Sequence, residues 1–203
     1  FEFGGYGFFK KKNWWIEYNH HNMNWYELIE NKPGISPYPR NGSLFPIENG
    51  NKVVLISGIG SDTGIQREHK ARFGLPSATD VGYFTWLRDA YEIDLKTMEW
   101  TNILPANHHS IRHNGLKGYN SKLGVFVNWG GSIPPSKHGE NTDEINMLST
   151  WNYPSSNGFK ETVFKGDIPP LSGGNFVDIP NTNDLLFMHS EGCWKLSLMA
   201  NDQ

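Results

Sequence analysis

A chain of 203 residues and 23.1 kDa, 37% hydrophobic and 19% charged, lies in the range of one globular domain and outside the disordered class. A chain of this length buries roughly 70% of the surface its unfolded form exposes, a core that requires neither metal nor disulfide, and its single cysteine, Cys193, cannot make an internal bridge. Eighteen Lys and Arg against 21 Asp and Glu give a net charge of −3, which offers no basic field to a phosphate backbone and argues against nucleic acid as a partner.

No apolar run approaches the ~18 residues of a membrane span, so direct membrane insertion is not expected. No charged-then-apolar segment opens the chain as a signal peptide would, and Phe1 is not an initiator methionine, so the compartment stays open. The 22 Gly, 12 Pro and 28 aromatic residues describe a chain rich in turns and in residues that load a sheet face with apolar area. That profile predicts an all-β fold.

Short runs that alternate or are continuously apolar between turn clusters predict fourteen strands. In chain order they are Phe1 to Phe3, Trp14 to Tyr18, Trp25 to Ile29, Ser43 to Ile47, Val53 to Ser57, Ala90 to Leu95 and Trp100 to Leu104. Then come Ile111 to Tyr119, Gly124 to Trp129, Glu144 to Leu148, Lys160 to Phe164, Asn175 to Ile179, Leu185 to His189 and Trp194 to Leu198. So many short strands point to a sandwich, a barrel or a repeat architecture.

A repeat is present. Ile16 to Ile29 set under Tyr91 to Leu104, an offset of 75, gives identities at Glu17/Glu92, Met23/Met98 and Trp25/Trp100. Tyr18/Ile93, Asn19/Asp94 and Leu28/Ile103 match in kind. The pattern reads as a hairpin: an alternating strand, an Asn or Asp that initiates the turn, and a Trp that opens the next strand. Upstream, Phe3 to Gly7 matches Ile56 to Gly60, Trp129-Gly130-Gly131 returns, and Met188 to Gly192 keeps only its last glycine. Glycine after an apolar strand supplies the positive φ of a tight exit. The intervals from Gly5 to Gly58, Gly131 and Ser190 are 53, 73 and 59 residues, the middle one lengthened by an insertion over roughly Ser61 to Arg88.

An apolar strand ending in Gly-Gly, a spacer, an alternating strand, an Asn/Asp turn and a following Trp resemble the kelch repeat of β-propellers, whose period is about 50 residues. The motif residues are Gly4, Gly5, Tyr18, Asn19 and Trp25 in the first copy and Gly58, Ile93, Asp94 and Trp100 in the second. The third copy keeps Gly130 and Gly131 but loses the spacing to a Trp, and the fourth has His189 and Ser190 in place of the double glycine. The resemblance implies a kelch-type segment, like the central domain of galactose oxidase, of about four four-stranded antiparallel blades over 1–42, 43–109, 110–170 and 171–203. Two of these would be incomplete, as in an excerpt of a larger propeller. The aromatics Trp15, Tyr18, Trp25, Tyr91 and Trp100 are then expected to pack between blades or close their edges.

In such blades five connections would gather on one face: Tyr6 to Asn13, Glu30 to Gly42, Ser61 to Arg88, Pro105 to Ser110 and Ser132 to Asp143. Loops on a rigid scaffold are where recognition resides. The longest, Ser61 to Arg88, carries Arg67, Glu68, His69, Lys70 and Arg72, then Phe73, Tyr83, Phe84 and Trp86, a mix of charge and aromatic anchors suited to a protein or glycan partner. His109 and His113 would converge with His69 or His138 on that face, and Arg112, His109, Arg40 and Glu68 are the nearest candidates for the channel mouth of a sugar-isomerase-like propeller. Adjacent histidines such as His20-His21 and His108-His109 would point to opposite faces in an extended strand and cannot chelate one ion without a turn. They read as solvated turn residues, and no Cys/His/Asp spacing matches a metal cage, so neither metal nor cofactor is expected. Cys193, beside Trp194, reads as a small core residue, and no triad signature accompanies it.

The expected function is a non-catalytic binding or sensing scaffold. The alternative is a carbohydrate-active enzyme or sugar binder whose channel mouth uses Arg112 and His113. A copper oxidase of the galactose-oxidase type would need a Tyr crosslinked to a Cys, and nothing around Cys193 matches that motif.

Overall fold

The computed structural model describes residues 2–3, 15–29, 37, 41–60, 85–104, 112, 115–133, 143–144, 147–155, 157–162, 165–167, 169 and 174–199. The protein is all-β. Sixteen strands are seen there: β1 (Glu2–Phe3), β2 (Trp15–Asn19), β3 (Asn24–Ile29), β4 (Asn41–Ile47), β5 (Lys52–Gly60), β6 (Thr85–Asp94), β7 (Glu99–Leu104) and β8 (Leu116–Asn120). They continue as β9 (Val125–Trp129), β10 (Ser132–Ile133), β11 (Asp143–Glu144), β12 (Leu148–Asn152), β13 (Lys160–Thr162), β14 (Val177–Asp178), β15 (Asp184–His189) and β16 (Gly192–Ser197).

They form four antiparallel sheets, in the orders β1-β2-β3, β4-β5-β6-β7, β13-β12-β9-β8 and β14-β15-β16, with β10-β11 as a separate two-stranded ladder. The chain divides into two compact units, 1–106 with 134–141 and 107–133 with 142–203. The first contains the first two sheets, the second the other two and the small ladder.

In the first unit β5 explains the second sheet. Its run Val53, Val54, Leu55, Ile56 is buried at every residue, as a strand covered on both faces must be. Val53 and Leu55 share a face with Ile93, Tyr91 and Trp100, and these five residues form one core cluster, with Leu44, Leu95 and Met98 packed against it. Tyr91 and Trp100 meet edge to face at 6.5 Å.

The repeated sequence makes a repeated hairpin. In β2-β3 the Asn19 Oδ1 accepts from the backbone N–H of His21 and Asn22, and in β6-β7 the Asp94 Oδ1 accepts from those of Lys96 and Thr97. The residue that turns the chain back, Met23 or Met98, has φ of 59° or 60°. Trp25 then lies opposite Tyr18, and Trp100 opposite Ile93.

The second unit is built from two sheets packed face to face. Leu116, Val127, Trp129 and Leu148 of the third sheet form one core cluster with Phe176, Leu185, Phe187, Leu196 and Leu198 of the fourth and its flanks. The two sheets approach tightly at Gly118, where a Cβ would stand 2.6 Å from the Phe176 Cβ and 3.2 Å from the Leu185 Cδ1. Only hydrogen fits there. Asn120, fully buried, ties the same two sheets through its Nδ2, which donates to Thr182 O at 3.1 Å and to Asp184 O at 3.3 Å.

Several strands differ from the sequence-based expectation. Glu144 to Leu148, expected as one strand, is split between β11 and β12. The main strand runs on to Asn152, because register with β9 sets Trp151 opposite Phe126 and buries it against that ring at 5.3 Å. Ser149-Thr150 breaks the apolar alternation that would have signalled this. Of the run expected from Ile111, Arg112 and Gly115 lie outside strands and β8 spans Leu116–Asn120. The insertion expected over Ser61 to Arg88 is shorter, since Thr85 to Arg88 belong to β6 and Thr85, Trp86 and Leu87 pair with β5.

Candidate functional site

The connection richest in expected binding residues is 61–84. Arg67, His69, Lys70, Arg72, Phe73 and Phe84 lie outside the described residues, as do Arg40, Glu68, His109, His113, His138, Gly4 and Gly5. What is described is its base. The ladder of β5 with β6 continues past Ile56↔Ala90 through a bulge to Gly58↔Leu87, Ile59↔Trp86 and Gly60↔Thr85, so both ends of the connection leave from one paired stalk. The bulge falls where Ser57 and Gly58 have φ of 62° and 134°. Trp86 is therefore a strand residue. Arg88, half-buried, has a guanidinium whose pKa burial pulls below its usual value.

Arg112 is described, and it is buried. Its Nη1 donates to Met147 O at 2.8 Å and Gly130 O at 3.3 Å, and its Nη2 to Ser149 Oγ at 3.2 Å. These acceptors sit where β9 leaves its sheet through Gly130 and Gly131, both at positive φ, and where β12 enters. Arg112 thus pins the glycine corner from within, with all three acceptors supplied by the protein itself. Desolvation lowers its pKa, partly offset by Glu161.

Beside it runs a polar row across the third sheet, Lys117↔Asn128↔Ser149↔Glu161. Lys117, Asn128 and Ser149 are buried. The Lys117 ammonium donates to Gly115 O at 3.2 Å, and burial lowers its pKa to about 8. A buried lysine with a perturbed pKa marks a functional-site candidate on physical grounds. Sequence reasoning missed Lys117; the signal available was a lysine inside the apolar run Leu116 to Tyr119.

The motif aromatics divide by copy. Tyr91 and Trp100 are core, whereas Trp25 is 54% exposed and Tyr26 44%. Tyr18 is also exposed; its ring is 5.0 Å from that of Trp25, and its hydroxyl donates to the Met23 Sδ at 2.9 Å. Trp15 is described by its backbone alone. The expectation that these aromatics are covered therefore fails for Tyr18 and Trp25. Trp100 is covered by Val53 and Leu55 of β5 and by Tyr91 and Ile93 of β6, whereas β1, the strand that pairs with β2 as β5 pairs with β6, is described only at Glu2–Phe3.

One smaller expectation is corrected. Cys193 is exposed, not core: it lies opposite Met188, on the face of the β15-β16 hairpin away from Phe187 and Leu196. His20 and His21 lie in the turn after Asn19, where their rings approach to 3.9 Å. Among the described residues no group of three or more His, Cys, Asp or Glu is placed to hold a metal ion, and no helix is long and apolar enough to cross a membrane.

Among solved structures the chain is similar to YjhT, with a TM-score of 0.55 and 15% identity over 91% of this chain and 54% of the other. It spans about half the length of that protein, and at this identity the likeness is one of fold alone. No family model matches the sequence, and no curated protein matches it.

Proposed function

We propose that the chain is part of a kelch-type β-propeller and serves as a non-catalytic binding scaffold, recognising a protein or glycan partner through its connecting segments, above all 61–84. The propeller reading is supported by four antiparallel sheets in chain order and by the recurring Asn/Asp-turn hairpin with its Trp. The observation that carries the binding reading is the paired stalk. A long connection is usually functional or disordered, and this one starts and ends on directly opposed residues, Gly60 and Thr85.

A segment held at both ends presents its side chains with less loss of freedom on binding than an open tail. Arg67, Lys70 and Arg72 would meet acidic or polar groups, and Phe73 and Phe84 would supply apolar anchors. Trp86 would support them from the stalk.

The test is binding after the segment is altered. Partners are captured on the wild-type chain, identified, and measured by calorimetry against a variant with 63–82 replaced by a short Gly-containing turn and against R67A/R72A. The expected result is lost or at least about tenfold weaker binding with an unchanged melting temperature, since truncating interface anchors costs about 1–4 kcal/mol. Affinity unchanged in both variants overturns the reading. Trp86→Ala is informative only after its melting curve is checked, because that residue belongs to the β5-β6 ladder.

A further inference from the structure

Among the described residues, exposed large apolar side chains are confined to the first and fourth sheets and their flanks. Tyr18, Met23, Trp25 and Tyr26 lie with the first, and Val177, Met188 and Met199 with the fourth. Apolar side chains gathered on a protein surface mark an interaction site.

The two patches are of opposite kind. In the second unit the third sheet sets a forward face, with Val127, Trp129 and Leu148, on the fourth sheet, which receives it on a rear face carrying Leu185, Phe187 and Leu196. Side chains alternate along a strand, so the rear face of the third sheet carries Phe126 and Trp151, opposed in register, with Phe159 against Trp151. All three are buried. The residues in the same places around the hairpin turn are Ile93 and Trp100 in the second sheet, also buried, and Tyr18 and Trp25 in the first, where they are bare. The forward face of the fourth sheet is the one away from Leu185 and Phe187, with Val177 opposite Leu186 and Met188 opposite Cys193. Val177 is 62% exposed, Met188 72%, and Cys193 is exposed with them, whereas the forward face of the third sheet is buried core.

A bare forward face and a bare rear face are the two halves of the contact that the third and fourth sheets make with each other, and both are exposed in the single chain. We propose that the partner of each is a second copy of this chain, the first sheet of one copy laying Tyr18 and Trp25 on Val177, Met188 and Cys193 of the other. The contact joins two different surfaces, and two of them made reciprocally close a pair of chains. Four sheets from each copy give eight, within the four to eight blades that propellers close. The inference rests on the propeller reading above.

Sedimentation velocity of the whole chain reads the assembly. The expected result is a monomer that converts to a dimer as concentration rises; a monomer up to the highest soluble concentration overturns the proposal. Met188→Lys and Trp25→Asp, both at exposed positions, are each expected to weaken the dimer about tenfold or more without moving the melting temperature of the monomer. Mixed in equal amounts the two variants are expected to dimerise again, because one contact then joins two unaltered faces and the other joins Lys to Asp. A dimer that persists in either variant, or a mixture that stays monomeric, overturns the head-to-tail contact.

Cys193 reports on the same face in the unaltered chain. Its alkylation by a polymer-linked maleimide is expected to be several-fold slower at concentrations where the dimer forms than where the monomer prevails, and the alkylated chain is expected to stay monomeric. Equal rates, or a dimer that forms after alkylation, overturn the proposal. The binding reading fails separately, by unchanged partner affinity in the 61–84 variants, whatever the state of association. A monomeric chain that still binds a partner through 61–84 therefore overturns the second-copy contact alone.

Discussion

Lys117 carries the sharpest single-residue consequence. Its ammonium is buried with Gly115 O as its hydrogen-bond partner, and its pKa falls from 10.5 to about 8. The folded protein therefore binds fewer protons than the unfolded chain between about pH 8 and 10.5, so stability rises with pH across that window, and the destabilisation is fully present below it. A shift of this size corresponds to about 3 kcal/mol. Lys117→Met keeps the length of the side chain and removes the charge, and buried charges replaced by apolar groups of similar volume are often stabilising by ~1–4 kcal/mol. The variant is expected to unfold at higher urea concentration than wild type at pH 7, with the difference shrinking toward pH 10. A difference that does not change with pH would assign the gain to packing alone. At the neighbouring position, Gly118→Ala is expected to destabilise the protein by about 1–3 kcal/mol, read as a lower urea midpoint, because its Cβ would meet Phe176 at 2.6 Å. Neither role was legible in the sequence: Leu116 to Tyr119 reads as a strand, but which faces are covered depends on sheets that come from distant parts of the chain.

At the scale of elements the hairpins were the most legible feature. The turn is encoded locally, by an Asn or Asp whose Oδ1 accepts two backbone N–H groups in the next three residues, and the same geometry recurs at Asn19 and Asp94. Those hydrogen bonds hold the Asp94 carboxyl below its usual pKa, with Thr97 the larger cause and Lys96 next. Folded pKa below unfolded means the contribution is present above about pH 4 and lost as pH falls through the folded value. Asp94→Ala is expected to speed hydrogen exchange at the amides of Lys96 and Thr97, while Asp94→Asn, which keeps the acceptor, should leave them near wild type; equal exchange in all three proteins would remove the turn from the account. The β12-β13 hairpin, whose turn is closed by the backbone bond from Ser155 N–H to Asn152 O, was missed because its markers differ. Trp151-Asn152 precede the turn in place of Tyr18-Asn19, and Phe159 stands after it, 5.6 Å from Trp151, in place of a Trp. Aromatic volume was retained while residue identity was not, so a search for Trp at fixed spacing passes over it.

For the whole molecule, the β5-β6 stalk makes the long connection separable from the fold. Replacing 63–82 by a short turn reduces the loop-closure entropy of the pair by about 1–2 kcal/mol, so the shortened chain is expected to be at least as stable as wild type in urea. A large loss of stability would mean that the segment supports the first unit and would count against it as a free recognition loop. The all-β class, the order of most strands and the turn residues followed from the sequence alone, because alternation, Gly and Asn/Asp signals act within a few residues of themselves. The tertiary structure alone decided which aromatics are core and which are exposed, that Arg112 and Lys117 are buried beside the Gly130-Gly131 corner, and that the first and fourth sheets each keep an apolar face exposed. Burial is a property of what covers a face, and those covering strands lie tens of residues away, where no local pattern reaches.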